Sequence, residues 1–351
     1  MKIVFVVPNF DCGGAERVAV TFAKQLIHAG LDVQFVNVGT AQGNMRQWLE
    51  PDIPFVCLNR RRVVTAFFPL IKYLRRTQPT YVYSSWRHVS VVLLLLGYVL
   101  PLRIIVREPT MPSNQLVKSD WKQRLLRSCM RHLYKRAYQL IAQTEEMKQE
   151  IITRYGVAAD KVSVILNPID EDRIQTQIQG ENPFKTDGVN YLAVGNIAYA
   201  KAYDVLIQAF SIVLQYQPEA HLYIVGRKES EYATEIMKQA TSCSGHIHFE
   251  GFQANPYVYM AHCSVFVLSS RMEGCPNVLL EARYLNRRLV ATECVPIVNQ
   301  IVQEGRNGYI VPVNNAERLA NAMLQAIQLP VSLLPQTEIC LHGNSITDIL
   351  Q

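Results

Sequence analysis

Residues 269–282 read Ser269-Ser270-Arg271-Met272-Glu273-Gly274-Cys275-Pro276-Asn277-Val278-Leu279-Leu280-Glu281-Ala282. The run follows an apolar, strand-like stretch, residues 264–268, and leads into a stretch of helical character. Pro276 suits the first position of that helix, where its missing N–H costs nothing and its fixed φ fits the turn. The amides of Asn277, Val278 and Leu279 are then orphan donors at a positively polarised helix end, which favours a phosphate. Glu273 stands beside that anion site, and Glu281 is predicted about two turns into the helix. Carboxylates are poor phosphate ligands but good acceptors for sugar and ribose hydroxyls. The combination points to a nucleotide-sugar.

The step from Glu273 to Glu281 resembles the E-x7-E motif of retaining glycosyltransferases of the GT-B fold, in the large group 4 family. The specificity lies in the whole string Ser-Ser-x-x-Glu-Gly-x-Pro-Asn-x-Leu-Leu-Glu-Ala, because the two-Glu spacing alone is common. The resemblance implies that Glu273 contacts the donor sugar and Glu281 the ribose diol. It also implies that Gly274, Cys275, Pro276, Asn277 and Val278 line the donor site. Gly13 and Gly14, at a strand-to-helix turn after the apolar run 1–8, are similar to the family's N-terminal Gly-Gly loop, which faces the donor phosphates. Read without the family, they are a tight turn needing positive φ. Asn167-Pro168-Ile169-Asp170 resembles the turn that ends the family's first domain. The run from Tyr191 to Lys201 is similar to the family's G-R-L-x-x-x-K-G, in which Arg and Lys clamp the diphosphate. Gly195, Ile197 and Lys201 match, whereas Asn196 replaces the Arg and Ala202 the second Gly. One cationic clamp is therefore missing.

Short apolar runs alternate with helix-period stretches along the chain, at residues 33–38, 81–83, 104–106, 139–142, 222–225, 265–268 and 289–291. That alternation predicts an α/β protein with parallel sheets and helices on both faces. The resemblance makes it GT-B, two Rossmann-like domains with a central cleft. The expected divisions are an acceptor-side domain 1–170, a polar linker 171–189, a nucleotide-sugar domain 190–335 and a tail 336–351. Hydrophobic residues make up 49% and charged ones 18%, which fits large buried cores and excludes a disordered chain. The eight cysteines show no C-x-x-C pair and no zinc spacing, so a reducing cytosol is the simplest setting. The N-terminal apolar run is too short for a secretory signal. The apolar tract 89–100 is shorter than the roughly 20 residues a membrane span needs and is expected as a buried helix.

Residues 1–170 carry 23 Lys and Arg against 12 Asp and Glu, whereas residues 171–351 carry 12 against 17. Lys118, Lys122, Arg124, Arg127, Arg131, Lys135 and Arg136 concentrate that excess in segment 118–136, interleaved with Trp121, Leu125, Leu126, Met130, Leu133 and Tyr134. Such a basic amphipathic helix either lies on an anionic bilayer or packs a solvated face on its own domain. No reading helix or aromatic RNA motif points to nucleic acid.

The implied reaction moves a hexose-type sugar from a nucleotide-diphosphate donor, UDP-sugar above others, to a glycan hydroxyl with retention. The expected acceptor is a lipid-linked oligosaccharide, lipopolysaccharide or other surface polysaccharide. No metal or cofactor is expected, since this fold stabilises the departing diphosphate with helix ends, glycine amides and basic side chains. The expected catalytic residues are Glu273 and Lys201. Many relatives carry a His at the end of a first-domain strand, where this chain has Arg107 and Glu108. Glu108 either orients acceptor or sugar or caps the strand, and His88 is expected to be structural or acceptor-lining. A catalytically silent relative that binds sugar nucleotides or glycans as a partner subunit is the alternative, motivated by Asn196 and the absent His. The expected location is cytoplasmic, peripheral on the inner face of the cell membrane.

Overall fold

A computed structural model describes residues 1–9, 13–40, 42–43, 48–49, 53–113, 121–185, 188–330 and 345–350. The chain divides between Pro168 and Ile169 into two compact units.

The first unit holds strands β1 (Lys2–Val7), β2 (Asp32–Asn37), β3 (Phe55–Cys57), β4 (Tyr81–Ser84), β5 (Arg103–Arg107), β6 (Gln139–Ala142) and β7 (Val162–Val164). They pair in the order β3-β2-β1-β4-β5-β6-β7, parallel throughout. Helices α1 (Gly14–His28), α2 (Phe67–Thr77), α3 (Arg87–Leu96), α4 (Trp121–Leu133) and α5 (Glu145–Tyr155) connect them. Ile3 to Val7 are all fully buried, as a central parallel strand covered on both faces requires. The apolar tract ahead of Pro101 supplies α3, whose Val89, Leu93 and Leu96 lie in the core. No described helix is long and apolar enough to cross a membrane.

The second unit contains α6 (Glu171–Gln177), β8 (Asn190–Val194), α7 (Tyr203–Tyr216), β9 (His221–Val225), α8 (Glu231–Gln239), β10 (Ile247–Gly251) and α9 (Tyr257–His262). It continues through β11 (Val265–Leu268), α10 (Asn277–Tyr284), β12 (Arg288–Thr292), α11 (Val298–Ile301), β13 (Gly308–Val311) and α12 (Ala316–Ala326). Its sheet runs β10-β9-β8-β11-β12-β13, also parallel. The α/β class with two parallel sheets is thus present as the sequence indicated.

Two segments differ from the linker-and-tail division. Part of the polar stretch 171–189 is α6, capped by the Asp170 side chain, which accepts the Arg173 amide. Ile174 is buried, and Asn255 donates to the Gln177 carbonyl at 2.7 Å, so α6 packs on the second unit. The chain end, residues 345–350, returns to the first unit. There Ile346 and Leu350 are buried, and the Tyr81 hydroxyl donates to the Leu350 carbonyl at 3.1 Å.

Candidate donor-sugar site

In a doubly wound parallel sheet, the strand order reverses where the chain first winds to one side and then to the other. The crevice outside the carboxyl ends of those two strands is the natural ligand site. In the second unit the reversal falls between β8 and β11. The loop after β8 carries Gly195, Asn196 and Lys201, and the loop after β11 carries Ser269 to Pro276. The two sequence motifs, about seventy residues apart, therefore meet at the sheet's switch point.

Lys201 Nζ lies 2.7 Å from Glu273 Oε1, which also accepts the Ser270 hydroxyl at 2.7 Å. Several contacts set this pair. Ser269 Oγ donates to the Lys201 carbonyl at 2.8 Å, and the Arg271 amide to the Ala200 carbonyl at 2.7 Å. The Arg271 guanidinium forks onto Asp204 at 2.9 and 2.6 Å, donates to the Tyr199 carbonyl at 2.9 Å, and lies over the Tyr199 ring. Burial raises the pKa of Asp204, but the bonds and charge of Arg271 more than offset it, so the carboxyl stays below its usual range. Arg271 and Asp204 are thus a staple between the two loops, and neither was singled out from the sequence.

Gly195 has φ +156°, and its carbonyl accepts the Tyr203 hydroxyl at 3.0 Å. A Cβ there would come to 3.0 Å from Lys201 Cε, so glycine lets the lysine fold back over the loop. Ala202, where the resemblance expects a second glycine, sits in the left-handed region at φ 52°, ψ 42°. The backbone thus keeps the conformation that glycine serves elsewhere, with a methyl group in place.

Asn196, which replaces the expected Arg, accepts the Arg227 amide on its side-chain oxygen at 3.2 Å. Arg227 follows β9 beside it, with its guanidinium over Phe252, and Lys228 donates to the Phe249 carbonyl at 3.0 Å. Arg227 is thus a second cation next to this loop, joined to it through its backbone. The signal was present as an apolar run followed by Gly226-Arg227-Lys228, the strand-glycine-cation pattern of the preceding strand.

Pro276 is the residue before α10, with ψ 92°, and the helix opens at Asn277. The expected first-turn position is corrected by one residue, because the extended ψ places the proline outside the helix. The Leu279 amide donates back to the Pro276 carbonyl at 3.0 Å, so it is used within the first turn rather than offered to a ligand. Glu281 is the fifth helical residue, a little over one turn in rather than two, and accepts the Tyr257 hydroxyl at 3.3 Å. Gly274 and Cys275 bridge the loop to α10, with Cys275 buried, and Val278 lies in the first turn. Burial, with the Glu273 charge second, pushes the thiol of nearby Cys294 up to about 12, which leaves it protonated and inert.

Two family models match, Glycosyltransferase Family 4 over residues 12–173 and Glycosyl transferases group 1 over residues 188–328. The chain belongs to these GT-B glycosyltransferases. An uncharacterized glycosyltransferase of Haemophilus influenzae is 23% identical over 96% of this chain and 93% of its own. An N-acetylgalactosamine-N,N'-diacetylbacillosaminyl-diphospho-undecaprenol 4-alpha-N-acetylgalactosaminyltransferase of Campylobacter jejuni is 23% identical over 64% of this chain, a match that spans 60% of the relative's length. The Anabaena protein HepE, solved in complex with UDP-glucose, superposes with a TM-score of 0.79 at 19% identity, covering 100% of this chain and 98% of its own.

In the first unit of this glycosyltransferase, Gly13 has φ −113°, and neither it nor Gly14 is in the positive-φ region. The reading as a positive-φ turn is therefore replaced by close approach. A Cβ on Gly13 would come 2.7 Å from Glu16 Oε2, and Glu16 in turn accepts the Trp86 indole at 3.1 Å. Residues 10–12 of that loop lie outside the described ones.

Glu108 does not present its carboxylate to a ligand. It is fully buried, with one oxygen paired to Arg87 and the other accepting the Tyr134 hydroxyl at 3.1 Å. Burial raises its pKa, and Arg87 offsets only part of that. Arg107 donates to Asn167, Asn167 to Gln143 at 3.3 Å, and Gln143 to the Glu108 carbonyl at 2.8 Å. The candidate catalytic carboxylate is thus corrected to an internal anchor, because both its oxygens already have partners in the core. The Asp170-Glu171-Asp172 run has the spacing of a metal motif, but Asp170 is the α6 cap.

Proposed function

We propose that this glycosyltransferase moves a sugar from a UDP-sugar to a glycan hydroxyl with retention at the anomeric carbon and without a metal ion. The observation that carries the proposal is the Lys201–Glu273 pair at the β8/β11 switch point, with Glu281 on the adjoining helix. Lys201 and Glu273 neutralise each other in their ion pair. A bound diphosphate competes for the ammonium and releases Glu273 to accept hydroxyl protons from the sugar. Glu281, with Tyr257 behind it, accepts from the ribose diol. As the bond from the anomeric carbon to phosphate breaks, Lys201, Arg227 and the first turn of α10 balance the charge on the leaving oxygen. The acceptor hydroxyl attacks from the same face and gives its proton to that phosphate oxygen. No protein base is required, in keeping with Glu108 being buried and paired.

HepE is solved with UDP-glucose, which supports UDP as the nucleotide. The Campylobacter relative's acceptor is a diphospho-undecaprenol glycan, which supports a lipid-linked acceptor in surface polysaccharide or lipopolysaccharide assembly. Such an acceptor fits a protein peripheral on the inner face of the cell membrane. The exposed side of α4 fits that setting. Trp121 and Leu125 stand out among Lys122, Arg124 and Arg131, while Met130 and Leu133 pack inward. The apolar set of segment 118–136 is therefore divided between core and surface, and its start, residues 118–120, lies outside the described residues.

The test of the donor reading is a thermal-shift panel of UDP, GDP, ADP and their sugars. UDP is expected to raise Tm, and the rise should be lost in Glu281→Ala. A shift by no nucleotide, or an undiminished shift in Glu281→Ala, would contradict the donor site. The alternative, a silent binding subunit, requires a UDP shift with no release of sugar from any donor. It is motivated by Asn196 and the absent His, and Arg227, a cation next to the Asn196 loop, weighs against the first of these.

A further inference from the structure

The first unit has its own crevice at the carboxyl edge of its sheet. Its strand order reverses between β1 and β4. The segments leaving β1, β2 and β3, joined by His88 at the start of α3, enclose a cavity of about 700 Å³. Its walls are Pro8 and Asn9 after β1, Val38 to Thr40 after β2, and Asn59 to Val64 after β3. The volume is inside the roughly 300–1,000 Å³ of small-molecule sites.

The walls are fixed by backbone bonds. After β3 the Leu58 amide donates to the Asn37 carbonyl at 2.8 Å, Asn59 to Gly39 at 3.1 Å, and Arg60 to Val38 at 2.8 Å. Asn37 is fully buried, donates to the Thr40 carbonyl at 2.5 Å, and accepts the Gly39 amide at 3.0 Å. Asn59 turns the chain through the left-handed region at φ 53°, and Arg62 caps a short 3-10 turn, Val63–Ala66. The result presents Arg60, Arg61 and Arg62 in succession along one wall.

These guanidiniums are in no ion pair or side-chain hydrogen bond with any described residue, and no carboxylate is among the described residues of the lining. Three adjacent like charges in one concave wall repel one another, and a bound polyanion relieves that. A carboxylate satisfies one guanidinium, whereas a phosphate or diphosphate has oxygens for several bidentate forks. Asn9, Thr40 and Asn59 add neutral groups suited to sugar hydroxyls. Val64 in the lining is 75% exposed and Phe68, four residues on, is 78% exposed, so an apolar shoulder adjoins the charged wall.

We propose that this cavity binds the phosphate or diphosphate of a phosphorylated acceptor, held by Arg60, Arg61 and Arg62. The acceptor role rests on the transferase reading above, whereas the anion site does not. The chemistry is shared by a soluble sugar phosphate and a lipid-linked diphosphate, and the experiment separates them.

Inorganic pyrophosphate is titrated calorimetrically into the full chain with UDP present at saturation, which blocks the donor phosphate site. The wild type is expected to bind one pyrophosphate. R60S/R61S/R62S should bind at least tenfold more weakly, with its Tm and UDP affinity unchanged. K72S/R75S/R76S removes the same charge from α2, outside the cavity, and should bind as the wild type does. Equal affinity in the wild type and R60S/R61S/R62S, or equal losses in both triple variants, would overturn the site. If UDP itself fails to bind, the donor reading fails, and pyrophosphate titration of the same variants still decides this cavity. A sugar 1-phosphate in buffer and a polyprenyl diphosphate in neutral detergent micelles then identify the source. Arginine-dependent binding of either supports an acceptor of that kind, and binding of neither overturns the acceptor assignment.

Discussion

Lys201 and Glu273 share one short ion pair, so each substitution leaves its partner unbalanced and, in the proposed donor site, also removes a donor contact. Both side chains are partly exposed, which keeps the stability cost small. The effect should therefore show in turnover. Lys201→Ala is expected to lower kcat/KM at least tenfold, about 1.4 kcal/mol, through lost stabilisation of the leaving diphosphate. Glu273→Gln should depress kcat more than UDP affinity, and Glu281→Ala should weaken UDP binding by about 1.5–3 kcal/mol as a charge-assisted acceptor is lost. Steady-state kinetics beside UDP titration separates the three. Glu108 offers the opposite pattern. Glu108→Ala strands Arg87 beside a buried cavity and should cost about 3–5 kcal/mol in urea unfolding, with little change in UDP affinity. Wild-type stability together with lost turnover would return Glu108 to the reacting groups. The E-x7-E string was legible because its residues are neighbours in sequence. The burial of Glu108 was not, because Arg87 and Tyr134 lie 21 and 26 residues away.

The loop after β8 and the loop after β11 hold their shape through Arg271 and Asp204. Arg271→Ala is expected to lower kcat while leaving the ordinary UDP contacts in place, and Arg271→Lys should recover little, because an ammonium cannot make the forked contact. Asp204 has a pKa below its usual 3.8. Its stabilising contribution is therefore fully present above that value and lost as pH falls through the lower, folded-state pKa. Asp204→Asn should be less stable than wild type at pH 7, and the gap should close only below about pH 3.8. Urea midpoints across pH check this. Helix α4 acts at the same scale. Replacing Lys122, Arg124, Arg127 and Arg131 by Ser should release the protein from anionic vesicles in co-sedimentation, since each cation near such a surface contributes about 1 kcal/mol. Binding that ignores lipid charge and salt would contradict an electrostatic anchor. The strands show what the sequence can carry. Those read from apolar runs occupy interior positions, and the four not read, β3, β7, β10 and β13, are the edges of the two sheets. An edge strand is covered on fewer sides, so its sequence needs no continuous apolar run.

Across the whole molecule, alternating strands and helices announced parallel sheets, the resemblance made them two, and the motifs marked the two loops that meet at the β8/β11 switch point. Return of the chain end to the first unit was not announced, because burial of Ile346 and Leu350 depends on the distant Tyr81 and α1. Removing residues 345–351 deletes those two buried side chains and uncovers the surface they pack on, a loss of about 1.5–3 kcal/mol of burial for each. Calorimetry should show the first unit's transition lowered and the UDP-induced shift retained. The joint claim is that Lys201 and Glu273 form a metal-free, retaining donor site. The most direct measurement is proton NMR of the sugar first released or transferred from UDP-α-sugars in EDTA. The α-anomer is expected to form first, and its rate should fall at least tenfold in Lys201→Ala. A β-anomer formed first, activity abolished by EDTA, or an unchanged rate in Lys201→Ala would contradict the account.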